Sequence, residues 1–157
     1  MKSIGDVPEE LRGLYRLNLD IFITTLESLE KVIGKEAPLG IIRLCSKDLD
    51  DRIERELRKR TKTREWTPKT FSAAFVDYLN DLGLEGELVS ASDEEIIIRK
   101  HVCAMGDIGK RYPKVCAYRI GSLLESAKKA LNRDMELKHV KNILKGDPYC
   151  EFVLEIK

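Results

Sequence analysis

The sequence predicts an α+β fold: N-terminal helices, then an antiparallel four-stranded sheet with a long helix between its two hairpins. Three observations predict it. Apolar residues recur at steps of three and four through the first half of the chain, and short alternating runs bounded by turn residues replace that rhythm after Gly83. One further helical stretch, opened by Pro113, separates the second pair of alternating runs from the first. The coarse order is ααα-ββ-α-ββ.

From Pro8 to Ile33 the residues Leu11, Leu14, Ile21, Phe22, Leu26, Leu29 and Ile33 follow helical spacing, and Gly34 stands where a C-cap glycine belongs. Between Leu17 and Leu26 this helix is apolar on more than one face. It is therefore either sandwiched in the core or packed on a second subunit, and a homodimer is the favoured expectation. Pro38 suits a first helical position, and Leu39, Ile42, Ser46, Leu49, Ile53 and Leu57 carry a second helix to Arg60. Its alternating charges from Asp50 to Arg58 read as a solvated face, and Cys45 reads as a core residue.

Thr67-Pro68 supplies an N-cap and a first-position proline for the third helix, with Phe71, Phe75, Tyr78 and Leu82 as its buried stripe and Gly83 as its stop. Glu87–Ser90 and Glu95–Arg99 form a hairpin around Ser92-Asp93. After Pro113 a fourth helix keeps Cys116, Ile120, Leu123, Ala127 and Leu131 on one face. Met135–Val140 and Tyr149–Ile156 form the last hairpin, closed by a turn containing Lys145-Gly146-Asp147-Pro148.

A chain of 157 residues suits one domain, here a helical extension over 1–66, expected to dimerise, and an α+β core over 67–157. With 28 basic and 27 acidic side chains, nothing global draws it to nucleic acid or an anionic membrane. The basic run from Arg58 to Arg64 suits a helix C-terminus on dipole grounds. Met-Lys-Ser-Ile-Gly-Asp lacks the apolar stretch of a signal peptide, and clusters such as Ile96-Ile97-Ile98 are too short to span a bilayer. The expectation is a cytoplasmic protein, in which cysteines serve as buried thiols, metal ligands or redox groups rather than disulfides.

Cys103, Cys116, His139 and Cys150 carry no CxxC pairing. Geometry nevertheless gathers them. A helix from Cys116 to Leu131 advances about 22 Å and a strand from Asp134 to His139 returns about 17 Å, so His139 comes back level with Cys116. Strand alternation turns His139 and Cys150 to the core side, and Cys103 lies where the second strand enters the loop before the helix. Thiolates and an imidazole suit tetrahedral Zn²⁺, and a helix N-terminus helps hold Cys116 as thiolate. The plainer alternative is that four residues ending apolar stripes are core residues.

Gly146-Asp147-Pro148-Tyr149-Cys150-Glu151-Phe152 and Val115-Cys116-Ala117-Tyr118 resemble the terminal cysteine motif and the helix-head cysteine of the vinyl-4-reductase domain family. These small-molecule-sensing domains are similar in fold to subunits of the transport-particle (TRAPP) tethering complex, and the resemblance covers about Thr67 to Lys157. Aromatic-sensing members bind zinc through the helix-head cysteine, a carboxylate, a second cysteine and the terminal cysteine. Cys116 and Cys150 match directly. The carboxylate position falls on His139 and the second cysteine's on Asn142, a poor ligand that Cys103 would replace.

The resemblance implies binding rather than turnover: a freestanding sensory domain with a pocket for an apolar or aromatic molecule. Phe71, Phe75, Tyr78 and Tyr118 are the candidate pocket residues, although an aromatic stripe is more often core. Two rivals use the same residues. A redox switch would exchange metal for a disulfide among Cys103, Cys116 and Cys150. A zinc-dependent enzyme needs an open coordination position, and no Ser/His/Asp spacing, HExxH or phosphate-cradling loop supports one.

Overall fold

The computed structural model describes residues 9–61 and 65–157. The helix start expected at Pro8 and the Lys62-Thr63-Arg64 end of the basic run lie outside these residues, as do the side chains of Leu11, Ser46 and Leu49.

Alternating apolar and polar residues produce four strands: β1 (Gly86–Ala91), β2 (Glu95–Lys100), β3 (Met135–Lys141) and β4 (Cys150–Ile156). They form one antiparallel sheet in the order β1-β2-β4-β3, so the second hairpin turns back and lays its last strand beside β2. The register sets Leu88, Ile98, Phe152 and His139 in one row across the sheet, and Lys100 beside Cys150 in the next. Side-chain alternation turns both rows inward. The outward row Glu87, Arg99, Glu151 and Lys141 alternates in charge across all four strands, and Arg99 Nε donates to Glu151 Oε2 at 2.7 Å. Such a face is built for water.

The helices are α1 (Glu9–Ile33), α2 (Glu36–Arg60), α3 (Pro68–Asp81), α4 (Gly106–Arg111) and α5 (Pro113–Leu131). The expected order therefore holds, with one short helix and a 3-10 turn over Ile143–Lys145 added. Helix α3 packs on β1 and β2, α5 on β3, α2 on α5 and α3, and α1 on α2 and α4. Thr67 and Thr70 cap α3 reciprocally, each side chain accepting from the other's backbone N–H.

Two apolar clusters result. The larger joins α3, α5 and the sheet through Phe71, Phe75, Ile96, Ile98, Leu123, Phe152 and Leu154. The smaller joins α1, α2, α4 and the start of α5 through Ile23, Leu26, Ile42, Met105, Tyr112 and Val115, with Cys103 and Tyr118 packed on it.

Three expectations are corrected. Helix α2 starts at Glu36, so Pro38 sits inside its first turn, where the missing N–H is no loss. Cys45 is exposed, because the buried line of α2 runs through Pro38, Ile42, Ile53 and Leu57 and leaves Cys45 to one side. Leu82, expected to end the α3 stripe, is 40% exposed beyond the helix's last turn.

Candidate functional site

Sheet register and helix phase bring the sequence-predicted residues to one end of the fold. Cys150 opens β4 opposite Lys100, the last residue of β2, and its side chain is buried. Cys116 lies in the first turn of α5, behind Pro113. Cys103 follows β2 in the loop to α4. The Cys116 thiol is pushed up, first by burial and then by Cys103 and Cys150, with Lys100 opposing. Burial likewise raises the Cys150 thiol, against the Ile143 backbone and Lys100. The three sulfurs thus share a neighbourhood, in which burial keeps Cys116 and Cys150 as thiols unless something stabilises their thiolates.

His139 stacks on Phe152 with ring centroids 4.7 Å apart. Burial, and then the charges of Lys100 and Lys145, lower its pKa, so the imidazole is neutral at pH 7; a hydrogen bond to the Lys141 backbone opposes this. Its Nε2 is buried without a hydrogen-bond partner. An orphaned imidazole nitrogen beside thiols is a donor set suited to zinc. Among the described residues, however, no three His, Cys, Asp or Glu side chains are gathered closely enough to hold one ion. Asn142 is committed elsewhere, its Oδ1 accepting from the Leu144 amide.

A cavity of about 370 Å³ opens at this end, lined by Gly109, Lys110, Pro113, Cys116, Ala117, Ile120, His139, Asn142, Leu144 and Lys145. That volume is in the range of small-molecule sites. Cys116 and His139 are the two predicted residues on its wall. Phe71 and Phe75 instead pack with Trp66 in the larger cluster, Tyr78 is half-buried at its margin, and Tyr118 packs on the smaller cluster, its hydroxyl accepting from Arg43 Nε at 3.3 Å. Helix α3 covers the β1–β2 half of the sheet, whereas the cavity lies under α5 beside β3, which is why the aromatic stripe does not reach it.

Sequence reasoning missed Lys100, Gly109, Lys110, Leu144 and Lys145. For Lys100 the signal existed: Ile96, Ile98 and Lys100 share one phase of β2, so a lysine follows two buried isoleucines onto the inner face. The others come from α4 and the 3-10 turn, too short for any periodicity.

The junction of α4 and α5 divides its side chains between two neighbours. Gly109, Lys110, Pro113 and Cys116 face the cavity. Arg111 reaches α1, pairing with Asp20 at 2.6 Å and Glu27 at 3.0 Å, while Tyr112 Oη and Lys114 Nζ both donate to Glu30.

No helix among the described residues is long and apolar enough to cross a membrane. No protein-family model matches the chain, and no curated protein matches it by sequence. Solved structures do. The phenol-responsive sensory domain of the transcription activator PoxR, with phenol, superposes with a TM-score of 0.64 at 10% identity, over 88% of this chain and 74% of that one. A trafficking protein particle complex subunit 3 from Naegleria fowleri, covalently bound to palmitic acid, superposes with a TM-score of 0.54 at 17% identity, over 90% and 96%. At these identities the likeness establishes a shared fold, the one in which the sensory domain and the trafficking subunit are both built.

Proposed function

We propose that this chain is a small-molecule sensory domain of the vinyl-4-reductase kind, acting in the cytoplasm, that takes an apolar or aromatic ligand into the cavity beside Cys116 and His139. The observation that carries the reading is that cavity: apolar walls from Pro113, Ala117, Ile120 and Leu144 beside Cys116 and His139, in a fold shared with a phenol-responsive domain. Saturable binding of 4-ethylphenol, lost when Ala117→Trp fills the cavity, is the expected result. Undiminished binding by that variant, or a wild type that binds neither 4-ethylphenol nor its carboxylate and alcohol analogues, would sink the reading.

Zinc held by Cys103, Cys116, His139 and Cys150 is the second part of the proposal, supported by the orphaned His139 Nε2 and the shared thiol neighbourhood. A bound ion would tie the loop after β2, the start of α5 and the last hairpin together and hold the thiols as thiolates. Metal analysis of purified protein should find one zinc per chain, lost in Cys116→Ser and Cys150→Ser and kept in Cys45→Ser. Protein prepared with zinc that holds none, or site variants that keep it, would end this part. The thiol-switch reading is weaker, since burial makes poor thiolates of Cys116 and Cys150. An unchanged count of free thiols after mild oxidation would dismiss it.

The third part is a homodimer through α1. Leu14, Leu17, Ile21 and Val32 are all more than half exposed along one side of that helix. Thr25 and Ser28, on the same side, turn their hydroxyls into carbonyls of their own helix. What remains outward is an apolar seam at three- and four-residue steps, self-complementary to a second copy.

A further inference from the structure

We infer that the ligand of this cavity is an acid: an apolar body carrying a carboxylate, held at its head by Lys145. The inference deepens the small-molecule reading and rests on it.

The donors and acceptors around the cavity are unequal. Its lining includes Lys110 and Lys145 and no aspartate or glutamate, in a chain whose acidic and basic residues nearly balance, 27 against 28. Lys145 has no ion-pair partner among the described residues. Among the described residues Lys110 pairs only with Asp107, at 3.1 Å in a pair exposed on both sides, and such a pair holds a lysine weakly. Asn142 has given its Oδ1 to the Leu144 amide, so what it presents is the Nδ2 donor. Helix α5 starts at the same wall with Pro113 and Cys116 and has no side-chain cap and no acid in its own first turn.

Thiolates do not explain this charge. Lys100 is the cation that both Cys116 and Cys150 feel, whereas Lys145 acts on His139. Asp147 also acts on His139, but its Oδ2 accepts from the Asn142 amide, and among the described residues Lys145 forms an ion pair neither with it nor with any other carboxylate. The remaining lining side chains Pro113, Ala117, Ile120 and Leu144 offer no hydrogen bonds, and they fit hydrocarbon. Cationic and amide donors without a carboxylate, in an otherwise apolar lining, match a monocarboxylate with an aromatic or medium-length aliphatic body; a neutral hydrocarbon would leave the donors unused.

Calorimetric titration of the whole chain with 4-ethylbenzoate and with 4-ethylbenzyl alcohol, which differ only in the head group, tests this. The acid is expected to bind about tenfold tighter. That advantage should shrink in Lys145→Met and with added salt. Equal binding of the two, or an advantage untouched in Lys145→Met, overturns the acid while leaving the cavity a binding site. If the wild-type chain binds neither of these compounds nor 4-ethylphenol, the small-molecule reading itself fails.

Discussion

Asp50 on α2 faces α5 with its Oδ1 buried and unpartnered, and Ser122 and Ser126, one turn apart on α5, bury their hydroxyls in the same state. Burial raises the Asp50 pKa; Ser122, near it but out of hydrogen-bonding geometry, and Lys129 lower it, while Glu125 and Asp51 add to the rise. The carboxylate is therefore harder to ionise in the fold than in the unfolded chain. Stability falls as pH rises from the unfolded value, about 4, through the raised folded one, and stays lower above it. Asp50→Asn should melt higher than wild type at neutral pH, with the difference gone once the pH is below about 4. Equal melting at both pH values would contradict this. Gly109 makes a second demand at this scale. A Cβ there would stand 2.7 Å from Met105 Cβ and 3.0 Å from Leu144 Cδ1, so only glycine lets α4 close against the 3-10 turn. Gly109→Ala should cost about 1–3 kcal/mol in denaturant unfolding and weaken ligand binding as the cavity wall shifts.

Helix α1 is legible from sequence because its two apolar stripes differ in phase: Ile23 and Leu26 are buried against the smaller cluster, and Leu14, Leu17 and Ile21 face away. The pattern favoured a partner-bound second stripe but left a buried one open, since periodicity reports faces and not what covers them. With the stripe exposed, Leu17→Glu combined with Ile21→Glu should convert a dimer to a monomer by light scattering and leave the helical signal near wild type. A wild-type protein that is already monomeric at micromolar concentration would contradict the seam. The other helices were marked by caps and prolines, as at Thr67-Pro68 and Pro113. Helix α4 was not. Its six residues carry glycine at Gly106 and Gly109 and give no repeat to read, so the wall it builds for the cavity was invisible. His139 and Cys150 were placed on the inner face because strand phase is strict. Phe71 and Phe75 went to the core instead of the cavity because which half of the sheet α3 covers depends on packing between distant elements.

At the scale of the whole molecule the α4–α5 junction is shared by the cavity on one side and α1 on the other, with Arg111, Tyr112 and Lys114 bound to Asp20, Glu27 and Glu30. A ligand that moves the cavity wall therefore acts on the same segment that fixes the helix carrying the seam. This gives the proposed sensor a physical route from occupancy to assembly without a separate relay. The measurement that bears most directly on the central claim is an amide NMR titration of the labelled protein with 4-ethylphenol and, in a second sample, with 4-ethylbenzoate. The account predicts saturable shifts at Gly109, Ala117, Ile120, Leu144 and Lys145, with the outward row of the sheet at Glu87 and Arg99 unmoved. Spectra that respond to neither compound, or responses confined to residues away from the cavity, would contradict it.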